Sequence, residues 1–201
     1  MHMIRHQTAL WLWLLGTAGA AAHAADRPSF DCAQVRAGSI EALVCADPGL
    51  VQLDQRLAAT YAQAARLARR QRPNLLPAEQ RGWIKGRNDC WKDSDRRACV
   101  EHAYLRRHAE LQARYRLVPG SAPVRFACDG EARNAVIVTY FATEPATLLA
   151  ERGDQTALMF QQPMASGTSY LGRNERFSEH QGVVSITWGV DARPMRCVRA
   201  G

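Results

Sequence analysis

The chain lacks the features that mark several large classes of protein. Its apolar stretch near the start, residues 10–15 (LWLWLL), is far shorter than the roughly 20 residues that a membrane-spanning helix needs. Beyond residue 24 it contains no Cys-x-x-Cys or His-x₃-His pair, and it has no internal repeat or low-complexity tract. The sequence therefore predicts no membrane anchor, no metal site, no cofactor and no repeat architecture.

The first 24 residues have the pattern of a cleavable signal peptide. Arg5 supplies a positive charge, residues 10–15 an apolar segment, and Ala22-His23-Ala24 a cleavage site. The first cysteine, Cys32, lies well beyond that site, where it could not carry the lipid of a bacterial lipoprotein. We therefore expect an exported, soluble protein that is periplasmic or secreted.

All the cysteines follow the predicted cleavage site. An even number of cysteines in an exported chain predicts disulfides, here three. Among the first four cysteines three pairings are possible, and the short local loops favour Cys32–Cys45 and Cys90–Cys99. The six residues are Cys32, Cys45, Cys90, Cys99, Cys128 and Cys197.

Residues 25–118 are predicted to form a small helical domain. Asp47 precedes Pro48 as an N-cap precedes a proline in the first helical turn, and apolar residues then recur at helical spacing. A second helix is predicted to start near Pro77 and a third around Asp95. A bundle of this size has a thin core, so disulfides are expected to contribute much of its stability.

Residues 119–123 (PGSAP) have the composition of a linker, and beyond them the periodicity changes from that of helices to that of strands. Residues 124–201 are predicted to form a small all-β barrel or sandwich, which makes the fold class α+β in two domains. A disulfide from Cys128 to Cys197 would join the two ends and close a loop of about 70 residues, stabilising by about 4 kcal/mol. The predicted strands are 124–128, 134–141, 146–151, 155–162, 169–172, 175–179, 182–188 and 194–199.

The positive charge of the chain lies in its first half. Residues 25–118 carry 17 basic and 11 acidic side chains, whereas residues 119–201 carry eight of each. A basic surface suits an acidic glycan, a membrane surface or nucleic acid. We interpret the arginines first as a solvated helix face. Export argues against a nucleic-acid partner, and peptidoglycan is kept as a second candidate partner.

No arrangement of residues indicates catalysis. Ser166 lacks the G-x-S-x-G context of a nucleophile elbow. His102 and His108 are six positions apart, which puts them on different faces of a helix. His180 has no evident partner beyond the neighbouring Glu179. We therefore predict that the protein is not an enzyme, and a hydrolase is the alternative that substrate-turnover assays would test.

The segment 164–170 (MASGTSY) instead favours binding through a loop. It lies between two predicted strands, and a Ser-Gly tip followed by an aromatic residue can present a hydroxyl at the end of a loop. Ser166 offers a donor and two acceptor lone pairs, Gly167 permits a positive φ, and Tyr170 has the large flat surface that anchors interfaces. A plain β-turn with Tyr170 in the barrel wall is the other interpretation of the same residues.

Four elements of the second half carry a family resemblance: A-C-D-G (127–130), V-T-Y-F (138–141), A-S-G-T-S-Y-L-G (165–172) and Cys197. Through them residues 123–199 resemble the MliC/PliC family of bacterial inhibitors of c-type lysozyme. The resemblance implies an antiparallel eight-stranded barrel whose Ser-Gly-x-x-Tyr loop enters the lysozyme cleft. Ser166 would then bond the two catalytic carboxylates, and Tyr170 would hold the loop in shape or pack against the cleft wall.

The first half carries a second resemblance. Its elements are F-D-C (30–32), E-A-L-V-C-A-D-P (41–48), L-D-Q-R-L (53–57) with Tyr61, and Q-R-G-W (80–83) running into Arg87 and Cys90. Through them residues 30–115 resemble the N-terminal domain named after the lysozyme inhibitor LprI. The two resemblances together cover almost all of the chain beyond the predicted signal peptide.

One departure from the MliC pattern affects the predicted site. The family usually has an aromatic-x-Lys-Gly stretch after the loop, whose lysine adds a second contact, but residues 177–182 (FSEHQG) contain no lysine. His180 or Gln181 would have to substitute, and a neutral imidazole or amide bonds a carboxylate more weakly than an ammonium does. Because animal c-type lysozymes are typically basic, as this chain is, electrostatic steering is also absent or repulsive. We therefore expect weaker affinity or a different lysozyme as the target.

The sequence thus predicts a non-catalytic lysozyme inhibitor with a protein partner, c-type lysozyme, and a role in protecting peptidoglycan. The alternative is a non-catalytic envelope module that binds wall glycan or an envelope protein through the basic helical domain. The predicted lysozyme-binding residues are Ser166, Gly167, Tyr170, His180 and Gln181.

Overall fold

The computed structural model describes residues 27–200, so the predicted signal peptide lies outside the described residues. Helices precede strands, and the predicted α+β class, a small helical bundle followed by an eight-stranded antiparallel barrel, is confirmed. The helices are α1 (Ile40–Ala46), α2 (Pro48–Ala68), α3 (Leu76–Asn88) and α4 (Arg96–Arg114), with 3₁₀ turns at Cys32–Gln34 and Asp89–Lys92. The strands are β1 (Val124–Cys128), β2 (Glu131–Phe141), β3 (Thr147–Arg152), β4 (Gln155–Gln162), β5 (Thr168–Leu171), β6 (Glu175–His180), β7 (Val183–Trp188) and β8 (Met195–Arg199).

Helices α2 and α4 begin where capping side chains satisfy free backbone N–H groups. The Asp47 carboxylate accepts a bond of 3.0 Å from the Leu50 N–H at the start of α2, with Pro48 in the first turn as predicted. The Asp95 carboxylate accepts one of 2.9 Å from the Ala98 N–H at the start of α4. Both predicted helix starts are therefore confirmed.

The helical bundle buries a polar network as well as an apolar core. Arg87 is almost fully buried, and its Nη1 donates to the Tyr104 hydroxyl at 2.7 Å. That hydroxyl donates in turn to the Asp54 carboxylate at 2.9 Å, and Glu41 lies 3.3 Å from Nη2 of the same arginine. The buried charge of Arg87 is thus balanced within the bundle, as a buried charge must be. The largest fully buried side chains around this network are Leu50, Leu76, Leu111, Val44, Val100 and Tyr104.

Two disulfides tie short segments to this bundle. Cys32–Cys45 joins the first 3₁₀ turn to α1, and Cys90–Cys99 joins the turn after α3 to the start of α4. These are the two local pairings that loop length favoured among the three possible ones.

The strands form a closed barrel in sequence order, each antiparallel to the next, with β8 returning to pair with β1. Cys128 lies directly opposite Cys197 in that last pairing, and a disulfide joins them. β2 begins three residues earlier than predicted because Asp129 and Gly130, both with positive φ, make the whole turn after β1. The other strand boundaries agree with prediction to within about one residue.

Helix α4 packs against the outside of the barrel. Ala113 of α4 is buried together with Phe141 of β2 and Leu149 of β3, on the face opposite the barrel interior. The segment 119–123, predicted as a linker, lies along β2: the Ser121 N–H donates to the Tyr140 carbonyl at 2.8 Å. The Ser121 hydroxyl also accepts a bond of 3.1 Å from the Tyr140 N–H. The helices and the barrel are therefore in direct contact.

Replacing Cys128 and Cys197 together by alanine should lower the free energy of unfolding by about 4 kcal/mol, because the disulfide restricts the unfolded chain. The matched control replaces Cys32 and Cys45, which are 13 residues apart rather than 69, and should cost about 3 kcal/mol. Urea unfolding followed by circular dichroism measures both. A larger loss of unfolding free energy in the control variant would contradict the expected importance of the disulfide that joins β1 to β8.

Candidate functional site

Two chain reversals at one end of the barrel carry or adjoin the exposed predicted binding residues. These are the β4–β5 loop at 163–167 and the β6–β7 turn at 181–182, and all of these residues are exposed. They are neighbours because Thr168 at the start of β5 pairs with Glu179 near the end of β6. We call the loop 163–167 together with residues 180–182 the Ser166 surface.

Ser166 lies at the exposed tip of this surface. Its hydroxyl oxygen is 3.4 Å from Nδ1 of His180, near the outer limit for a hydrogen bond, and the donor depends on the histidine tautomer. No other hydrogen bond from the Ser166 hydroxyl is found within residues 27–200. The hydroxyl can therefore exchange a weak internal contact for a stronger one to a partner.

Gly167 brings the loop against β6. Its φ is +77°, a conformation that favours glycine. A Cβ atom at this position would lie 2.3 Å from the carbonyl oxygen of Glu179 and 3.2 Å from Nδ1 of His180. Only glycine permits this approach, and the approach is what places Ser166 beside His180.

Tyr170 lies inside the barrel. It is only 6% exposed, and its ring packs against Tyr140 and Phe177 with centroids 5.9 and 6.2 Å away. Of the two roles that the family resemblance implies, this position favours holding the loop in shape over packing against a partner. Burial raises the pKa of Tyr170, and burial, followed by the effects of Tyr170 and Glu179, raises the pKa of Tyr140 to about 12. Both phenols are therefore uncharged at neutral pH.

His180 and Gln181 form the other side of the Ser166 surface. His180 is the last residue of β6, and Gln181 and Gly182 make the turn with φ of +50° and +77°. Two successive left-handed residues are typical of a tight hairpin whose twist matches its strands. The structure thus brings Ser166, Gly167, His180 and Gln181 together at the surface and leaves Tyr170 beneath them.

Three further residues border this surface and were missed from the sequence. Tyr140, Glu179 and Arg199 line a cavity of about 370 Å³ that also reaches Gly182. They come from β2, β6 and β8, so only closure of the barrel brings them together. The V-T-Y-F element contained Tyr140, but nothing local in the sequence indicated its partners.

Comparison with known proteins agrees with this architecture. Residues 126–194, which span the barrel from β1 to just before β8, match the MliC family, described as "Membrane-bound lysozyme-inhibitor of c-type lysozyme". The proteins named Lipoprotein LprI from Mycobacterium bovis and Mycobacterium tuberculosis are each 33% identical over 159 residues, covering 79% of this chain and 78% of theirs. The chain therefore belongs to the LprI family, with an LprI-type helical part followed by an MliC-type barrel. No solved structure matches it.

Gly167→Ala should destabilise the barrel more than Gly130→Ala. Both glycines have a positive φ, which costs about 1–2 kcal/mol for an alanine, but a Cβ at Gly130 meets no atom within 4 Å. The added cost at Gly167 comes from the clash with the Glu179 carbonyl. Urea unfolding of the two variants measures the difference. Equal losses would show that the close approach of the loop to β6 contributes nothing.

Proposed function

We propose that the protein is an exported, non-catalytic inhibitor of c-type lysozyme that blocks the enzyme's active-site cleft with the Ser166 surface and so protects peptidoglycan. Membership of the LprI family and the match of the barrel to the MliC family support a lysozyme-inhibitor role in general. The observation that carries the finer proposal is the exposed Ser166 hydroxyl, held at the loop tip by the contact of Gly167 with β6.

The chemistry of the target explains how a serine can inhibit it. A retaining glycosidase uses one carboxyl group as general acid and a second as nucleophile or stabiliser. The Ser166 hydroxyl can donate to the ionised carboxylate and accept from the protonated one, because it has one donor and two lone pairs. A hydrogen bond to a charged group contributes about 1.5–3 kcal/mol. A loop that engages both groups leaves neither free for the substrate.

The second contact falls to His180 or Gln181 in this proposal. Both are exposed beside Ser166, and the Ser166 surface contains no lysine. A neutral side chain makes a weaker bond to a carboxylate than an ammonium would. Tyr170 belongs to β5, the strand that follows the loop. Its buried ring holds that strand, and with it the loop, in position.

We place the protein in the periplasm or outside the cell. All six cysteines of the sequence are in disulfides, which persist in oxidising compartments. Cys32 is one of them, so in this state its thiol is not free to carry a lipid. Within residues 27–200, no helix combines the length and apolar character that crossing a membrane requires.

Ser166→Ala should weaken inhibition of c-type lysozyme by about 10- to 100-fold, because it removes a hydrogen bond to a charged group. The inhibition constant is measured from the clearing of a bacterial cell suspension by lysozyme. Ser94→Ala, at an exposed serine of the helical part, is the matched control and should leave the constant unchanged.

Tyr170→Phe completes that series because it keeps the buried ring and removes only the hydroxyl. It should change the inhibition constant by less than about threefold, the range expected of an absent or weak hydrogen bond. A folded Ser166→Ala variant that inhibits as well as the unchanged protein would rule out the loop mechanism.

His180→Lys should tighten inhibition by about fivefold, because a charge-assisted hydrogen bond is roughly twice as strong as a neutral one. Val190→Lys adds the same charge at the β7–β8 loop, at the opposite end of the barrel, where Val190 is 71% exposed. This control should have no such effect. Equal tightening in both variants would assign the gain to net charge instead of a contact at position 180.

A further inference from the structure

We propose that a cleft between α3, α4 and strand β4 binds a small organic carboxylate. The cleft has a volume of about 400 Å³, in the range of small-molecule sites. Three basic side chains of α4 line it, His102, Arg106 and Arg107, and two aromatic rings form its walls, Trp83 of α3 and Phe160 of β4. The cleft is separate from the Ser166 surface, and the proposal does not depend on lysozyme inhibition.

Arg107 provides the strongest indication of a ligand. Its side chain is only 3% exposed, with Nε donating to the Gln80 side chain at 3.1 Å and Nη1 lying 2.8 Å from the Glu110 carboxylate. Its Nη2 is buried and has no hydrogen-bond partner within residues 27–200. An unsatisfied buried donor costs about 1–3 kcal/mol, and more on a charged group. Because Arg107 lines the cleft, an anionic oxygen bound there would satisfy Nη2 after a small shift of the side chains that cover it.

Arg106 adds a second guanidinium with free donors. Its central carbon lies 3.8 Å from the centroid of the Phe160 ring, a cation–π contact that leaves the N–H groups unused. Hydrogen bonds and ion pairs from Arg106 are absent throughout the described part of the chain. Burial lowers the pKa of Arg106 despite the opposing effect of the Glu110 charge, which reflects the cost of holding the guanidinium charge away from water. A bound anion would offset that cost.

The charges around the cleft do not balance. Glu110 is the carboxylate lining it, and Glu110 is shared between Arg107 and Arg114, the latter at 3.2 Å. Arg87 also borders the cleft, but Glu41 and the Tyr104 network already compensate its charge. The cleft therefore keeps an excess of positive charge along a small open volume.

The walls favour a carboxylate on an apolar body. A guanidinium fork matches the planar carboxylate geometry with two parallel hydrogen bonds. Trp83, Phe160, Ala103 and the Cys90–Cys99 disulfide make much of the remaining surface apolar. Burying apolar ligand surface against them contributes favourably, whereas a hydrated inorganic ion gains nothing from such walls. The acid can be a free molecule or the carboxyl end of a peptide, and the chemistry recognised is the same.

Calorimetric titration of the purified protein tests the proposal with four probes. Benzoate should bind at least tenfold more tightly than benzamide, its neutral counterpart, and than inorganic phosphate. N-acetylalanine separates the two sources: binding as tight as that of benzoate indicates a peptide carboxyl end, and weaker binding indicates an aromatic acid. Absence of benzoate binding, or phosphate binding as tight as that of benzoate, would overturn the assignment.

Two variants locate the site. Arg107→Lys keeps the charge but loses the guanidinium fork and should weaken benzoate binding at least tenfold, whereas Arg66→Lys at an exposed position of α2 should not. Arg106→Gln alters a half-buried side chain with no hydrogen bonds to lose and should weaken binding similarly. Circular dichroism and thermal melting establish folding, and Arg106→Gln decides if Arg107→Lys fails to fold. Unchanged affinity in a folded variant of either arginine would overturn the proposal.

Discussion

The pairing of β8 with β1 is the interaction on which the rest of the barrel depends. This pairing leaves no free strand edge in the barrel. A disulfide joins Cys128 and Cys197, which lie directly opposite each other in the two strands. The β4–β5 loop and the β6–β7 turn lie side by side through the local pairing of β5 with β6. Closure adds what that pairing cannot, because it brings Tyr140, Glu179 and Arg199 from β2, β6 and β8 together beside the Ser166 surface.

Local sequence was sufficient to predict much of this fold. Asp47 before Pro48 predicted a helix start through capping chemistry, and cysteines close in sequence predicted the pairings in the helical part. Ser166 and Gly167 were recognisable because a loop tip and a positive φ depend on residues adjacent in the chain. These features share one property: the residues that determine them are near neighbours in sequence.

The rest depended on contacts between distant segments. Tyr170 could face a partner or the barrel interior, and a shift of one residue in strand register exchanges the two faces. The cleft with Arg106 and Arg107 required α4 to dock on β4, and nothing in the arginine-rich helix separated these two from the solvated ones. The sequence favours a solvated face for these arginines. For Arg107, which is 3% exposed, that interpretation was wrong because the neighbouring elements cover it.

The contact of α4 with the barrel bears on the thermodynamics of recognition. Ser121 is hydrogen-bonded to both the N–H and the carbonyl of Tyr140 in β2, and Ala113 is buried against Phe141 and Leu149. Two halves joined by a free tether would lose their independent tumbling when one partner bound both of them. Here that entropy is already lost on folding, so a partner that touches both halves does not have to order them. Because the helices are held against the barrel, a partner that approaches the loop must also fit around them.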